Sequence, residues 1–422
     1  MNQARLRAAL TMCAMLLAGS MTASSQSSAP APFELPAPTG PYPIGTTSWH
    51  VTDRSRRETF AASGEFRQVE VLAWYPATRR GGAIAPYLRE GVAEVRPFAK
   101  LFGAELALDK LEHVRAHAEL DAPPARTAQK LPLLVFSHGY TGMASSYTAL
   151  MENLASHGYA VLSIVHPFEA GAATLADGRV VSMNGPDGKF RQGIQDVLAE
   201  WAPEDRTMTA VTSATDDGEQ IQLLRGYLGT LRQTGVMLRR WVDDTTLVLN
   251  RLPSLPAKSV AGALAARLDM SRIGAFGHSM GGVTSAQFCV EDPRCRAGLN
   301  LDGIPQYGPM IDTPMARPFL MVYSERPGRA GASDPIYRRS ARPYYRVDMK
   351  GTRHLEFSDM PFWGDPLRPA LGSLPPARAA ELTGLVVRQY FDQELRGKPS
   401  PLLAGTAVPP ELTVKTVTPA RP

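Results

Sequence analysis

The chain has no block of lysine and arginine, although its formal charge is +5 over 422 residues. Without such a block there is no electrostatic footprint for a phosphate backbone, so no nucleic-acid partner is expected. It has no second long apolar run after the N-terminus. The processed protein is therefore expected to be soluble, with transient contact at a lipid surface as its closest approach to a membrane. No internal repeat is present, and cysteine is scarce, three in all. What remains is ordinary globular composition, 44% apolar and 20% charged, enough for one large α/β domain with insertions.

The N-terminus carries its own pattern. Arg5 and Arg7 precede the apolar run Ala8–Ala18, which is too short to span a bilayer. Small polar residues follow, with cleavage expected near Ala23 or Ser25. No cysteine follows the apolar run, where lipoprotein processing needs one. Residues 1–25 thus read as a signal peptide and residues 26–43, rich in Ser and Pro, as a flexible leader. Residues 44–422 read as the folded part, with a secreted or periplasmic destination. Cleavage removes two arginines, taking +5 to +3, and removes Cys13. The even pair left, Cys289 and Cys295, predicts a disulfide closing the small loop CVEDPRC. Two buried free thiols are the alternative.

Short apolar runs alternate with helical periodicity along the chain. Strands are expected at Glu70–Tyr75, Leu131–Ser137, Tyr159–Val165, Ile273–Phe276, Ala297–Leu301, Pro318–Tyr323 and Tyr344–Met349. Helices are expected at Tyr147–Ser156, Gly235–Leu252 and Ala379–Glu394. That rhythm implies a mostly parallel central sheet with helices on both faces. Two segments break it, at about 82–130 and 167–269, and read as cap and lid insertions. The first has helical patches at Val92–Phe102 and Leu106–Leu120, which place His113 and His117 at i, i+4. No third metal ligand is evident, so a surface or core pair is the reading there and no metal is expected.

Arg272–Gly282 reads RIGAFGHSMGG. An apolar strand ends in G-x-S-x-G and a helix-compatible run follows, the nucleophile elbow of α/β-hydrolases. Only residues without bulk pack beside such a bend, which accounts for Gly277 and Gly281. Ser279 becomes the candidate nucleophile, and its hydroxyl needs an imidazole to take its proton. In α/β-hydrolases the order is Ser, acid, His. His354 is the sole histidine after Ser279, so it is the candidate base. Asp302, in LNLDG after a strand, is the favoured acid, with Glu325 as competitor. The oxyanion donors are expected to be the amides of Met280 and of Tyr140 in the loop after Leu131–Ser137. His138 reads as structural, and His166 follows a strand with no assigned role.

The blocks GPYPIGTTSWHVTD, EVLAWYPA, LPLLVFSHGYTG, LASHGYAVLSIVH, IGAFGHSMGG, LNLDG and KGTRHLEFSD run in order from Gly40 to Asp359. In this set the chain resembles the platelet-activating factor acetylhydrolases of the plasma and intracellular type II kind. The resemblance implies an α/β-hydrolase fold and a serine esterase with Ser279, Asp302 and His354 in the catalytic roles. It implies oxyanion amides at Tyr140 and Met280, and it supports Asp302 over Glu325. The expected substrates are small-molecule short-chain acyl esters, including acetyl or oxidised phospholipids, with no cofactor. Segment 167–269 is poorly matched, and GYTG with LASHGY also resembles cutinase-like polyester hydrolases. Aryl or phthalate-type esters therefore stand as the alternative substrates. A non-catalytic binding protein on the same fold is the reading from a different class.

Overall fold

The structure is a computed structural model that describes residues 34–61, 64–102, 108–183, 189–304 and 308–417. The signal peptide, the first part of the leader and Cys13 lie outside these residues. The strands are β1 (Ile44–Arg57), β2 (Phe66–Pro76), β3 (Glu119–Leu120), β4 (Leu131–Ser137), β5 (Ala160–Val165), β6 (Ala172–Thr174), β7 (Val180–Ser182), β8 (Leu268–His278), β9 (Cys295–Leu301), β10 (Phe319–Ser324), β11 (Tyr344–Met349) and β12 (Leu412–Val417). Ten form one sheet in the order β12-β11-β10-β9-β8-β4-β5-β2-β1-β3, and β6 and β7 form a separate hairpin. From β5 through β4, β8, β9 and β10 to β11, every neighbouring pair is parallel. Strands β2, β1 and β12 flank them in antiparallel pairing.

The pleat divides the core in two. In β4, Leu133 and Val135 join the core on one face, and Leu134 and Phe136 join the core on the other. On the first face the sheet meets Leu238 and Trp241 of helix Arg232–Arg251 and Val283 and Ala286 of helix Met280–Glu291. On the second it meets Met151 and Leu154 of helix Thr148–Ser156 and Leu382, Val386 and Tyr390 of helix Pro376–Arg396. Burial on both faces is why these strands read as continuous apolar runs. Cys289 and Cys295 are joined by a disulfide that ties the end of helix Met280–Glu291 to the start of β9.

One expectation fails in the first insertion. A helix over Leu106–Leu120 is not formed: helix Leu108–Leu111 is followed by extended chain ending in β3. Backbone pairing overrides the side-chain periodicity there. Leu35 N–H donates to Arg115 O (3.1 Å), and Glu119 pairs with Gly45 of β1. His113 and His117 therefore do not share a helix face. His117 instead lies 3.0 Å from the buried Glu152 carboxylate. In the second insertion, hairpin β6–β7 is followed by helices Lys189–Trp201, Glu204–Ser213 and Asp217–Leu228, and then by Arg232–Arg251 leading toward β8. None of the helices among the described residues is long and apolar enough to cross a membrane.

A buried ionic cluster ties the first two strands to helix Arg232–Arg251. Arg67 of β2, 1% exposed, donates to Asp244 (2.7 Å) and to Glu58 (2.7 Å). Arg56 of β1 also reaches Asp244 at 2.8 Å. Burial alone would raise the Asp244 pKa, but Arg67 and His166 overcome it and hold the carboxylate well below its ordinary range. Removing one partner of such a set strands buried charge. Asp244→Ala is expected to cost about 3–5 kcal/mol in urea unfolding. A cost below about 1 kcal/mol would contradict this role for the cluster.

Candidate active site

Ser279 stands between β8 and helix Met280–Glu291 with φ 55° and ψ −123°. L-residues seldom adopt that conformation, and it persists only where the surroundings enforce it. The enforcement is visible on both sides. A Cβ at Gly277 would fall 2.2 Å from Gly281 C, and a Cβ at Gly281 would fall 1.9 Å from Ser137 O. Ser279 N–H donates to Leu301 O at 2.8 Å, fixing the bend to the end of β9.

Asp302 follows that carbonyl directly, itself at φ 54°. Gly303 turns the chain so closely over the elbow that a Cβ there would lie 2.1 Å from Ser279 O. The Asp302 carboxylate is 2% exposed. Its Oδ1 accepts Ser324 N–H (2.9 Å), and its Oδ2 accepts Ser324 Oγ–H (2.9 Å), Arg326 Nη2 (2.8 Å) and His354 Nδ1 (2.7 Å). Burial would raise its pKa, but the Arg326 charge and the His354 hydrogen bond outweigh burial and keep it ionised. Glu325, the competing acid, accepts Gly351 N–H at 2.7 Å and braces the turn before His354.

His354 begins a short 3-10 turn after β11. Glu356 accepts Arg353 N–H at 2.8 Å, and Asp359 N–H donates to Ser146 O at 2.6 Å, so the loop is held at both ends. Its Nδ1–H points at an acceptor-only carboxylate, which leaves the Nε2 lone pair available. Desolvation lowers its pKa; Asp302 raises it, and Arg326 and Arg329 lower it, with a net shift downward. The imidazole is thus neutral at pH 7, the form a base requires.

His354 and Asp302 are joined directly, while Ser279 is joined to them through its neighbour. His278, just before Ser279, sends Nε2–H to His354 O (2.9 Å), and the two rings lie 4.4 Å apart. Its Nδ1 then accepts Tyr147 O–H (2.8 Å), and the Tyr147 oxygen accepts Gly139 N–H (3.2 Å). Burial pushes the His278 pKa far down, consistent with this neutral tautomer. Among the described residues no hydrogen bond links Ser279 Oγ to His354. Such contacts commonly tighten only when substrate binds.

Tyr147 and His278 were not singled out from the sequence. Their signal was faint: one is an aromatic at a helix start, the other the variable position of G-x-S-x-G. Arg326 was also missed, since an arginine two residues past a strand carries no pattern.

The loop after β4 lies against the elbow, and a Cβ at Gly139 would stand 3.4 Å from Ser279 Cβ. Thr141, at φ 63°, donates to Glu169 O (2.9 Å), and Gly171 N–H donates to Gly142 O (2.8 Å). His138 Nδ1–H donates to Gly139 O (2.7 Å), and its Nε2 accepts His166 N–H (3.2 Å). Burial pushes His138 down to about 3 and His166 to about 4, so both are neutral. Tyr140 packs edge-on against Trp201 of helix Lys189–Trp201, with ring centres 5.5 Å apart. Met280 is the first helical residue, where amides lack intrahelical acceptors. His166 lies wholly buried behind this loop, stacked on Trp241 at 4.0 Å. A surface groove of about 700 Å³ lined by Arg54 and Asn250 contains none of these residues.

Residues 28–188 match the family model described as platelet-activating factor acetylhydrolase, isoform II. The chain is similar to the platelet-activating factor acetylhydrolases. It is 27% identical to the guinea pig (Cavia porcellus) platelet-activating factor acetylhydrolase over 252 residues, 57% of this chain and 51% of that one. It is 24% identical to the chicken (Gallus gallus) protein over 78% of this chain and 75% of that one. It is 21% identical to a probable 1-alkyl-2-acetylglycerophosphocholine esterase of Arthroderma benhamiae, over 90% and 92%. The match spans about half the length of the guinea pig and dog relatives. Among solved structures, a ferulic acid esterase from Streptomyces cinnamoneus aligns with TM-score 0.68 at 27% identity, over 91% of this chain and 99% of that one. The fold is that of the α/β-hydrolases.

The close approach at Gly281 generates a prediction. Gly281→Ala forces the nucleophile helix off the Ser137 carbonyl at the base of the Tyr140 loop. It is expected to cost about 2–3 kcal/mol by thermal unfolding. Unfolding identical to wild type would show that the elbow tolerates a methyl there.

Proposed function

We propose that this protein is an exported serine esterase that hydrolyses short-chain carboxylic esters through an acyl-enzyme on Ser279. The observation that carries the reading is the 2.7 Å His354–Asp302 hydrogen bond on the elements that hold Ser279 at a strained bend. As Ser279 Oγ bonds to the ester carbonyl carbon, its proton passes to His354 Nε2 and the carbonyl π pair moves onto oxygen. The amides of Tyr140 and Met280 receive that oxyanion. Collapse breaks the bond to the leaving alcohol, which takes the proton from His354. Water then repeats the sequence, and a carboxylic acid leaves with Ser279 restored. Substrate, water and the chain's own groups balance every proton and electron pair. Export is supported by the N-terminal pattern and by the Cys289–Cys295 disulfide.

The names of the relatives favour acetyl esters of the glycerophospholipid kind as substrate. A second reading, aryl esters, is favoured by the near-complete overlap with the ferulic acid esterase and by the Tyr140–Trp201 pair beside the oxyanion loop.

Ser279→Ala is expected to lower hydrolysis of p-nitrophenyl acetate by on the order of 10⁴-fold or more. It should also abolish labelling by a fluorophosphonate. Retained turnover would defeat the mechanism, and a wild-type chain that neither turns over nor labels would be a binding protein. A rate series against acyl length, run beside aryl esters, amides and thioesters, separates the lipid reading from the aryl one.

A further inference from the structure

Asp302 carries more partners than an orienting acid needs. Its Oδ2 accepts three donors, and one of them is a guanidinium: Arg326 Nη2 lies 2.8 Å from the same oxygen that His354 Nδ1 meets at 2.7 Å. Arg326 Nε also donates to Ser324 Oγ at 3.2 Å, and that hydroxyl donates to Oδ2. The arginine therefore grips the carboxylate directly and through Ser324. Its place is fixed from both sides. Glu325 N–H donates to Thr352 O at 2.9 Å, and Arg326 N–H closes back on Ser324 O at 2.9 Å. Three residues on, the buried Arg329 pairs with Glu204 and Asp205 of the lid helix Glu204–Ser213.

We propose that Arg326 is a positioning residue of this site. It holds the Asp302 carboxylate in the orientation that receives the His354 ring and, as a fixed cation beside that pair, disfavours a second positive charge on the imidazole. The role in catalysis rests on the esterase reading above; the charge coupling to His354 does not. The other charged or titratable groups near His354 have partners of their own: Arg353 Nη1 donates to Pro369 O (3.4 Å), and Glu325 accepts Gly351 N–H (2.7 Å). His278 is neutral, Glu356 is engaged by the backbone amides of Arg353 and Gly372, and Arg329 is paired with lid carboxylates. Arg326, a quarter exposed, is the cation in direct contact with the acid. The sign follows from charge alone. Removing a cation favours the imidazolium, and it returns the full carboxylate charge to His354, which favours it again.

The test uses the full chain with Arg326→Gln, Arg326→Met and Arg326→Lys. The His354 imidazole is followed by NMR titration, its signal identified by its loss in His354→Asn. Hydrolysis of p-nitrophenyl acetate is followed from pH 4 to 9 in parallel. In the Gln and Met variants the His354 midpoint and the acid limb of kcat/KM are expected to rise together by about one pH unit. The plateau kcat is expected to fall with KM little changed. Arg326→Lys should bring the midpoint back toward wild type. An unmoved His354 midpoint in both neutral variants would overturn the proposal, as would a Lys variant displaced as far as Gln. A wild-type chain without ester turnover whose His354 midpoint still rises on charge removal counts against the esterase reading and leaves the coupling standing.

Discussion

Three missing Cβ atoms hold the active region together. At Gly277, Gly281 and Gly303 a methyl would stand 1.9–2.2 Å from a neighbouring backbone atom. These contacts bring the end of β4, the bend at Ser279 and the turn after β9 to one place. Because β4, β8 and β9 are adjacent and parallel, their carboxyl ends coincide, and each delivers a different part. Strand β4 leads into the Tyr140 loop, β8 leads to Ser279, and β9 leads to Asp302. The strain at Ser279 and at Asp302 is carried by this backbone contact. Side-chain hydrogen bonds then adjust a geometry that the glycines have already imposed.

Electrostatics do the adjusting through neutral histidines. His138, His166 and His278 are all buried, with pKa values pushed down, and each shares out its one proton unambiguously. That makes each a donor on one side and an acceptor on the other. The run from Gly139 N–H through Tyr147 and His278 to His354 O therefore has a fixed direction. A protonated His278 could not accept from Tyr147, and the link between the Tyr140 loop and the His354 loop would break. Burial here chooses which hydrogen bonds are possible.

Much of this was legible in the sequence. Strands buried on two faces announce themselves as apolar runs, and Leu131–Ser137 was read to the residue. Ser279 and His354 follow from the elbow pattern and from chain order. Asp302 is favoured over Glu325 by its place after a strand and by the family resemblance, and the structure places Asp302 and His354 in contact. What was not legible has a common cause. Strand β1 (IGTTSWHVTDRSRR) is largely polar because it is half solvated, so its pairing with β2 left no apolar signature. The false helix over Leu106–Leu120 had periodicity but lost to backbone pairing with residues far away in sequence. Arg326, Tyr147 and His278 act through partners 8 to 131 residues distant. Local spacing does not encode such contacts.

A second constellation shows why residue types alone do not make an active site. Ser137 Oγ lies 3.4 Å from His166 Nε2, and His166 Nδ1 lies 2.9 Å from Asp244 Oδ2. Like Asp302, Asp244 is gripped by an arginine, here Arg67 at 2.7 Å. The spelling is that of Ser279, His354 and Asp302, yet none of the three is more than 3% exposed. No ester can reach Ser137, and an imidazole wedged between His138 and Trp241 has no room to turn. What this set does is hold the end of β4, from which the Tyr140 loop departs. The side chain of His354, by contrast, is 31% exposed. Two imidazole–carboxylate pairs of one composition thus differ by access to solvent: one is sealed behind the Tyr140 loop, and the other is left open.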